Sequence, residues 1–573
     1  MKNHYALLTL IFLLLPFALH AQMTEDEKKY QGMEDVNKVV DLTLDSLEKA
    51  STARLKAGSS RKGNNPVLFL VGNSTMRTGT LGNGDNGQWG WGYYAHQYFD
   101  ENKITVENQA LGGTSSRTFY TKLWPDVKKG IKPGDWVIIE LGHNDNGPFD
   151  SGRARASIKG ISATDSLNVT IKETGIKETV YSYGEYMRRF IRETRALGAH
   201  PILMSLTPRN AYDPAPDAPT PAAAQTGSST LRRVADPSRR VTRVNETFGL
   251  WAKQVADEMN CPFVDLNEIS AQKYDEMSEW KFNYHFYIDH IHTSAFGAQL
   301  NARSAADGLA ACAHPEIKPL QSMMTSMALP TTGIKRQAGK PVVFITGDST
   351  VKNEDKAEDG MWGWGAVADV IFDASKIVIQ NSAQAGRSCR SYLREGRWDK
   401  VYNDLQPGDF VLIQFGHNDA GNEIAHGKAR NDITGTADSS HVYRVRTDTE
   451  VHNEVVYTFG WYLHKMIDDV RQKGATPILV SLTPRNEWPG GKIERRNDSF
   501  GRWYREVVEQ TGVEFIDLHN ISADAFDQLG REASAEYFKR DHTHTSKKGA
   551  LLNAQSIAKG LKQNHSKLAK YLK

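Results

Sequence analysis

Ser74 and Ser349 each stand two residues past the glycine that ends a short apolar run, in VLFLVGNST (Val67 to Thr75) and VVFITGDST (Val342 to Thr350). Such a run predicts a buried strand closing in a tight turn, and a serine presented there is either a nucleophile or the cap of the helix that follows. A nucleophilic hydroxyl needs a base within hydrogen-bond reach and a further group to fix that base's tautomer. Two Asp-x-x-His sequences meet the need, Asp289 to His292 and Asp541 to His544, each at the same distance before SAFGAQLNA or SKKGALLNA. An aspartate three residues before a histidine on one turn can accept from Nδ1 and leave Nε2 aimed at the serine. Alone, the motif reads equally well as a helix start with a solvated histidine. An oxyanion developing on the attacked carbonyl needs preorganised donors. The amides of Asn144 and Asn418 in two GHND sequences, the backbone N–H of Gly113 and Gly386, and the N–H of each serine are suitable.

These residues recur in one order because the chain repeats itself. WGWG runs from Trp89 and again from Trp362, an offset of 273; GHND from Gly142 and Gly416, an offset of 274; SLTPRN from Ser205 and Ser481, an offset of 276. Beyond that point the offset drops to 252, from Asp289 to Asp541, because the first copy carries a Pro/Ala-rich insertion, Asp213 to Ser229. A period this long means duplicated domains rather than solenoid units. In the second copy the apolar runs VVFITG, KIVIQN, FVLIQFG, PILVSL and EFIDL alternate with helical patterns, as in Tyr457 to Lys473, where Phe459, Tyr462, Leu463, Met466, Ile467 and Val470 share a face. That alternation predicts an α/β fold with a mostly parallel sheet covered on both sides and a site at the carboxyl ends of its strands. Ser349, GHND and TPRN each follow a strand directly, so they converge on one rim. The expected division is a leader at 1–21, an N-terminal helical segment at 22–63, one copy at 64–314, a linker at 315–337 and the other copy at 338–573.

GDST, the NSAQAGRS block around Gly386, GHND and DHTH resemble the four blocks of the SGNH (GDSL-type) hydrolases. The spelling GHND, the WGWG run and TPRN look most like rhamnogalacturonan acetylesterases within that family, and the resemblance covers nearly all of both copies. It implies a flavodoxin-like α/β/α fold twice over, no cofactor or metal, and removal of acetyl groups from pectic polysaccharide. Carried over motif by motif, it implies Ser349 as nucleophile, His544 as base, Asp541 as orienter and Gly386 with Asn418 as oxyanion donors. Ser74, His292, Asp289, Gly113 and Asn144 take the same roles in the first copy. That copy departs at Asn73, where the family has aspartate, and at Thr114, where Arg387 follows the oxyanion glycine in the second. A different ester, or a glycan-binding protein with one or both copies inactive, are the alternatives.

The 573 residues are 39% hydrophobic and 24% charged, which suits two or three globular domains, and 70 basic against 68 acidic residues supply no field for nucleic acid. Residues 1–21 combine a basic start, an apolar stretch from Ala6 to Leu19 and an end at Ala21, the pattern of a cleaved signal peptide, with an apolar run too short for a membrane span. The expectation is export, to the periplasm or beyond, toward acetylated plant cell-wall polysaccharide or oligosaccharide. Cys261, Cys312 and Cys389 are too few for a disulfide scaffold or zinc site; Cys261 reads as a small buried hydrophobe, with a bridge to Cys312 as the lesser alternative. The WGWG tryptophans read as core rather than as sugar platforms. After the second GHND, HVYRVRTDTEV alternates as a hairpin would, forming a specificity flap at the rim.

Overall fold

A computed structural model describes residues 54–573, apart from 80, 81, 83, 85, 86, 214–237, 244–246, 287 and 288. The leader, most of the N-terminal segment and nearly all of the Asp213 to Ser229 insertion lie outside the described residues. In the first copy the strands are β1 (Val67–Gly72), β2 (Thr105–Asn108), β3 (Trp136–Glu140), β4 (Ser166–Thr170), β5 (Lys177–Tyr181), β6 (His200–Met204) and β7 (Phe263–Val264). The second repeats them as β8 (Val342–Gly347), β9 (Val378–Asn381), β10 (Phe410–Gln414), β11 (Ser440–Arg446), β12 (Val451–Tyr457), β13 (Thr476–Val480) and β14 (Glu514–Ile516).

Each copy is an α/β domain built on five parallel strands, in the orders β2-β1-β3-β6-β7 and β9-β8-β10-β13-β14. β1 and β8 have no polar face because both sides are covered: Val67, Phe69 and Val71 pack into one core layer, and Leu68 and Leu70 into another. Register pairs Val71 with Ile139 and Ile345 with Leu412. The order reverses between β1 and β3, and between β8 and β10, so the loops after these strands part to leave a crevice at their carboxyl ends. The turns carrying Ser74 and Asn144 lie there, as do those carrying Ser349 and Asn418. A two-stranded antiparallel hairpin follows each GHND turn, β4–β5 and β11–β12.

The duplicated unit starts ahead of its first strand. Arg61 pairs with buried Asp135 at 2.6 Å and Arg336 with buried Asp409 at 2.5 Å, and each aspartate also accepts the first strand's N–H, from Val67 and from Val342. The segment expected as a linker begins with helical turns, Pro315–Ile317 and Lys318–Gln321, whose Ile317 and Leu320 are buried in the first copy's core. All three cysteines are free. Trp89, Trp91, Trp362 and Trp364 are buried.

The two domains share a core. Trp280 and Tyr284, from the first copy's helix Glu279–Tyr284, pack on Trp461 of the second with ring centroids 5.6 and 5.1 Å away. Lys281 and Lys465 reach the two oxygens of buried Asp469, each at 2.6 Å. Of these partners only Lys281 comes from the first copy, so its ammonium ties that helix to the second copy's core.

Candidate active site

In both copies the hydrogen bonds run from carboxylate to imidazole to serine. Asp289 Oδ2 lies 2.6 Å from His292 Nδ1, and His292 Nε2 lies 2.8 Å from Ser74 Oγ. The second copy repeats this at 2.7 Å for Asp541 and His544 and 2.8 Å for His544 and Ser349. The other oxygen of each aspartate accepts two backbone amides of its own turn, from Ile291 and His292 or from Thr543 and His544, all at 2.7 Å. Burial pushes Asp289 up, but the hydrogen bonds and charge of His292 prevail and hold it at about 2; Asp541 is lowered by the same contest. Both aspartates are therefore anionic partners that fix the imidazole tautomer.

The repeated blocks hold this arrangement in place. Trp89 N–H donates to Thr293 O and Thr293 Oγ1 donates to Trp89 O, bolting the WGWG turn to the residue after His292; Trp362 and Thr545 do the same. The next glycine cannot be replaced: a Cβ on Gly90 or Gly363 would come within 2.4 Å of the backbone at Met76 or Val351, in the turn after each serine. From TPRN, Asn210 N–H donates to His290 O and Asn486 N–H to His542 O, so this block carries the base loop. His143 and His417 of GHND lie within 3.2 Å of Thr207 and Thr483 Oγ1, and desolvation of the rings pushes His143 down to about 3 and lowers His417 well below the usual imidazole range. They are neutral struts between the GHND and TPRN turns.

Ser74, Gly113, Asn144 and His292 line one cavity, and Ser349, Gly386, Asn418 and His544 line the other. Gly113 and Gly386 have φ of 76° and 77°, a left-handed conformation that residues with a Cβ resist. Asn144 Nδ2 donates to Thr114 O and Asn418 Nδ2 to Arg387 O, so the departure at Thr114 leaves this contact intact because only the carbonyl is used.

Three sets of residues escaped the sequence reading. The first is a fifth repeated block, Gly152-Arg153-Ala154-Arg155 and Gly427-Lys428-Ala429-Arg430, whose alanines take positive φ, 43° and 44°, and whose basic residues line the cavities. Arg430 donates to Asn418 Oδ1 at 2.9 Å, which leaves Asn418 Nδ2 as the donor to Arg387 O. The second is a buried arginine that ties each hairpin to the oxyanion loop's helix: Arg117 forks onto Glu178 and Arg390 onto Glu454. Both sets recur at fixed offsets, so a fuller self-comparison exposes them. The third is a buried group with metal-capable side chains, Cys389, Asp419 and Asp432. Asp419 accepts the N–H of Cys389 and of Gly416, one on each oxygen, and burial with the Asp419 charge pushes Asp432 well up. Ser116, Asp145 and Ser157 fill these places in the first copy, where Ser157 Oγ donates to Asp145 at 2.8 Å.

Residues 68–304 match a GDSL-like Lipase/Acylhydrolase model and residues 345–552 a GDSL-like Lipase/Acylhydrolase family model, so the chain belongs to this family of ester-bond hydrolases, in two tandem copies. Among curated relatives, it is 32% identical over 241 residues to the rhamnogalacturonan acetylesterase of Emericella nidulans, covering 42% of this chain and 91% of that one. It is 30% identical over 240 residues to the rhamnogalacturonan acetylesterase RhgT of Bacillus subtilis, covering 39% of this chain and 91% of that one. Among solved structures, the acetylxylan esterase Axe2 of Geobacillus stearothermophilus aligns at 22% identity and a TM-score of 0.27, over 44% of this chain and 96% of that one.

Proposed function

We propose that the chain is an exported carbohydrate O-acetylesterase with two working sites, acting on an acetylated acidic polysaccharide of the rhamnogalacturonan type. The observation that carries the reading is the pair of serine hydroxyls, each 2.8 Å from an imidazole Nε2 whose Nδ1 is held by a carboxylate. Ser74 or Ser349 Oγ attacks the acetyl carbonyl while His292 or His544 takes its proton. The oxyanion is met by the N–H of Gly113 or Gly386, the amide of Asn144 or Asn418 and the serine's own N–H. The histidine then returns the proton to the sugar oxygen as the ester bond breaks, leaving an acetyl-serine that a water, deprotonated by the same histidine, hydrolyses. An acidic substrate is supported by the relatives' stated substrates and by the basic residues at the cavity walls, Arg153, Arg155, Lys428 and Arg430.

Acetate release from acetylated rhamnogalacturonan and from acetylated xylan, compared for Ser74→Ala, Ser349→Ala and the double variant, tests it. Each single variant is expected to keep one site's activity and the double to keep none. Full activity in the double variant ends the serine reading; preference for the neutral xylan ends the acidic-substrate reading. Recovery of the protein outside the cytoplasm, with residues 1–21 removed, tests export.

A further inference from the structure

The departure at Asn73 is matched by an opposite one at the end of the neighbouring strand. Asn73 and Glu140 meet at Thr75, the residue after Ser74; Asp348 and Gln414 meet at Thr350, the residue after Ser349. Each copy thus buries one carboxyl and one amide around the same threonine with the two places exchanged, and all four side chains are wholly buried. In the second copy each proton has one possible owner. Gln414 Nε2 donates to Thr350 Oγ1, and Thr350 Oγ1 donates to Asp348 Oδ1, both at 2.8 Å; Asp348 Oδ1 also accepts Thr350 N–H, and Gln414 Oε1 accepts Trp364 Nε1 at 2.7 Å. In the first copy Asn73 Oδ1 accepts Thr75 N–H and Oγ1, both at 2.9 Å, while the Glu140 carboxyl lies 3.2 Å from Thr75 Oγ1 and 3.4 Å from Trp91 Nε1. Thr75 Oγ1 carries one proton. With that proton on Asn73, Glu140 bonds the threonine only as a donor, through the acid O–H that replaces the Gln414 amide.

We propose that Glu140 is a positioning residue for Ser74: as the neutral acid it stands in for an amide, completes the hydrogen-bonded turn around Thr75, and gives the first site an alkaline limit that the second lacks. The inference rests on both serines being nucleophiles. Burial pushes Glu140 up to about 8, and the hydrogen bonds from Trp91, Thr75 and the Thr207 backbone N–H only partly oppose it. The titratable groups facing it are His143, 3.8 Å away and held neutral by burial, and Tyr183 on the helix Tyr183–Ala196, held neutral likewise. Asp145 acts on the same tyrosine, and Arg209 and His292 act on His143. Among the described residues no cation pairs with Glu140. Once ionised it only accepts, draws the Thr75 proton to itself, and strips Asn73 of the hydroxyl contact that braces the turn carrying Ser74. Gln414 has no proton to lose, and Asp348, pushed up to about 6 by burial, is an acceptor in its network in either form.

The test uses the full chain with Ser349→Ala, so that only the first site reports, and follows kcat and KM for an aryl acetate from about pH 6 to about pH 9. We expect kcat, not KM, to fall along a limb near pH 8 and the limb to vanish in Glu140→Gln. Asn73→Asp, which puts two buried carboxyls on one threonine, should lower kcat by about tenfold or more, and adding Glu140→Gln should restore most of it. A limb that persists in Glu140→Gln, or an Asn73→Asp variant with undiminished kcat, overturns the proposal. Should Asn73→Asp fail to fold, the reciprocal exchange Asp348→Asn with Gln414→Glu, in a Ser74→Ala background, decides: it must install the alkaline limb in the second site, and its absence there overturns the proposal. Turnover that survives in Ser74→Ala/Ser349→Ala would instead sink the serine reading beneath it.

Discussion

The cavity beside Ser349 measures about 880 Å³ and that beside Ser74 about 330 Å³, although the serine, histidine and aspartate of each are spaced alike to within 0.1 Å. The difference comes from the walls. Thr447 to Glu450, at the tip of the β11–β12 hairpin, line the larger cavity with Met361, Arg394 and Glu395. The β4–β5 hairpin contributes nothing to the described wall of the smaller one, which is made by Gln88, Arg153, Arg155 and Ile291 among others. Tandem packing accounts for the asymmetry in part. Val451, His452 and Asn453 are buried, with His452 against Trp89 at 5.8 Å and Asn453 O where a Cβ on Gly84 would be, so the first domain supports the second domain's hairpin. Ser166 to Asn168 on the first domain's hairpin are exposed. Duplication has kept the hydrogen-bonded serine, histidine and aspartate and varied the surfaces around them.

The largest effect that bears on this comparison is loss of both nucleophiles. Ser74→Ala/Ser349→Ala should lower acetyl release by about a thousandfold or more, as removal of a serine nucleophile does elsewhere. If one single variant alone reaches that floor, the other copy is a binding domain and the equivalence of the two sites is broken.

Next come the arginines beneath the hairpins. Arg390→Ala removes the forked partner of Glu454, which keeps Arg394 at 3.1 Å, and should cost about 1.5–3 kcal/mol in thermal or denaturant unfolding. Arg117→Ala should cost less, because the Glu178 side chain is 20% exposed against 12% for Glu454 and hydrates more readily. Equal losses would show that the first domain's packing does not set the second hairpin's environment.

The buried carboxyls give a pH-dependent difference. Glu140 is raised from an ordinary 4.5 to about 8, so the folded chain binds a proton the unfolded chain does not between these values. Stability on its account is full below about 4.5 and falls as pH rises toward about 8, by on the order of a few kcal/mol in total. Asp348, raised from 3.8 to about 6, acts in the same direction over a lower window. Glu140→Gln should therefore flatten the stability profile between pH 6 and 8, and Asp348→Asn should flatten it only below about 6. Melting curves across that range would show identical profiles if burial did not govern both groups.

The smallest effect concerns the wall itself. Replacing Thr447 to Glu450 by a short glycine turn should reduce turnover of polymeric substrate at the second site by about tenfold while sparing a small aryl acetate, a loss of the order of one or two polar contacts. Similar losses on both substrates would mean that the hairpin tip supports the chemistry rather than selecting the sugar.

Ser74, Ser349 and both Asp-x-x-His turns were legible because each is a short local pattern: an aspartate and histidine three residues apart meet within one turn, whatever surrounds them. The parallel sheets were legible from the apolar runs, and the buried fate of Trp89 and Trp362 from their glycine-rich setting. Arg117, Arg390 and the Gly-[Arg/Lys]-Ala-Arg block were visible in principle, since they repeat, but no local pattern marks a surface-type residue as buried. That Trp280, Lys281 and Tyr284 enter the second domain was not readable at all, because one copy's sequence cannot say which of its faces the other will cover.

By itself the sequence determined the repeated blocks and their duplication: the serine, the Asp-x-x-His turn, the glycine and the GHND asparagine follow one another in the same order twice. It determined the strand positions too, because a strand buried on both faces must be apolar throughout. Only the tertiary structure decided which residues close each site, how wide each cavity is, and that Asn73 with Glu140 answers Asp348 with Gln414. Those depend on side chains brought together from strands 60 or more residues apart, as Thr75 and Glu140 are at a separation of 65, and no spacing in the chain announces a contact that the sheet alone creates.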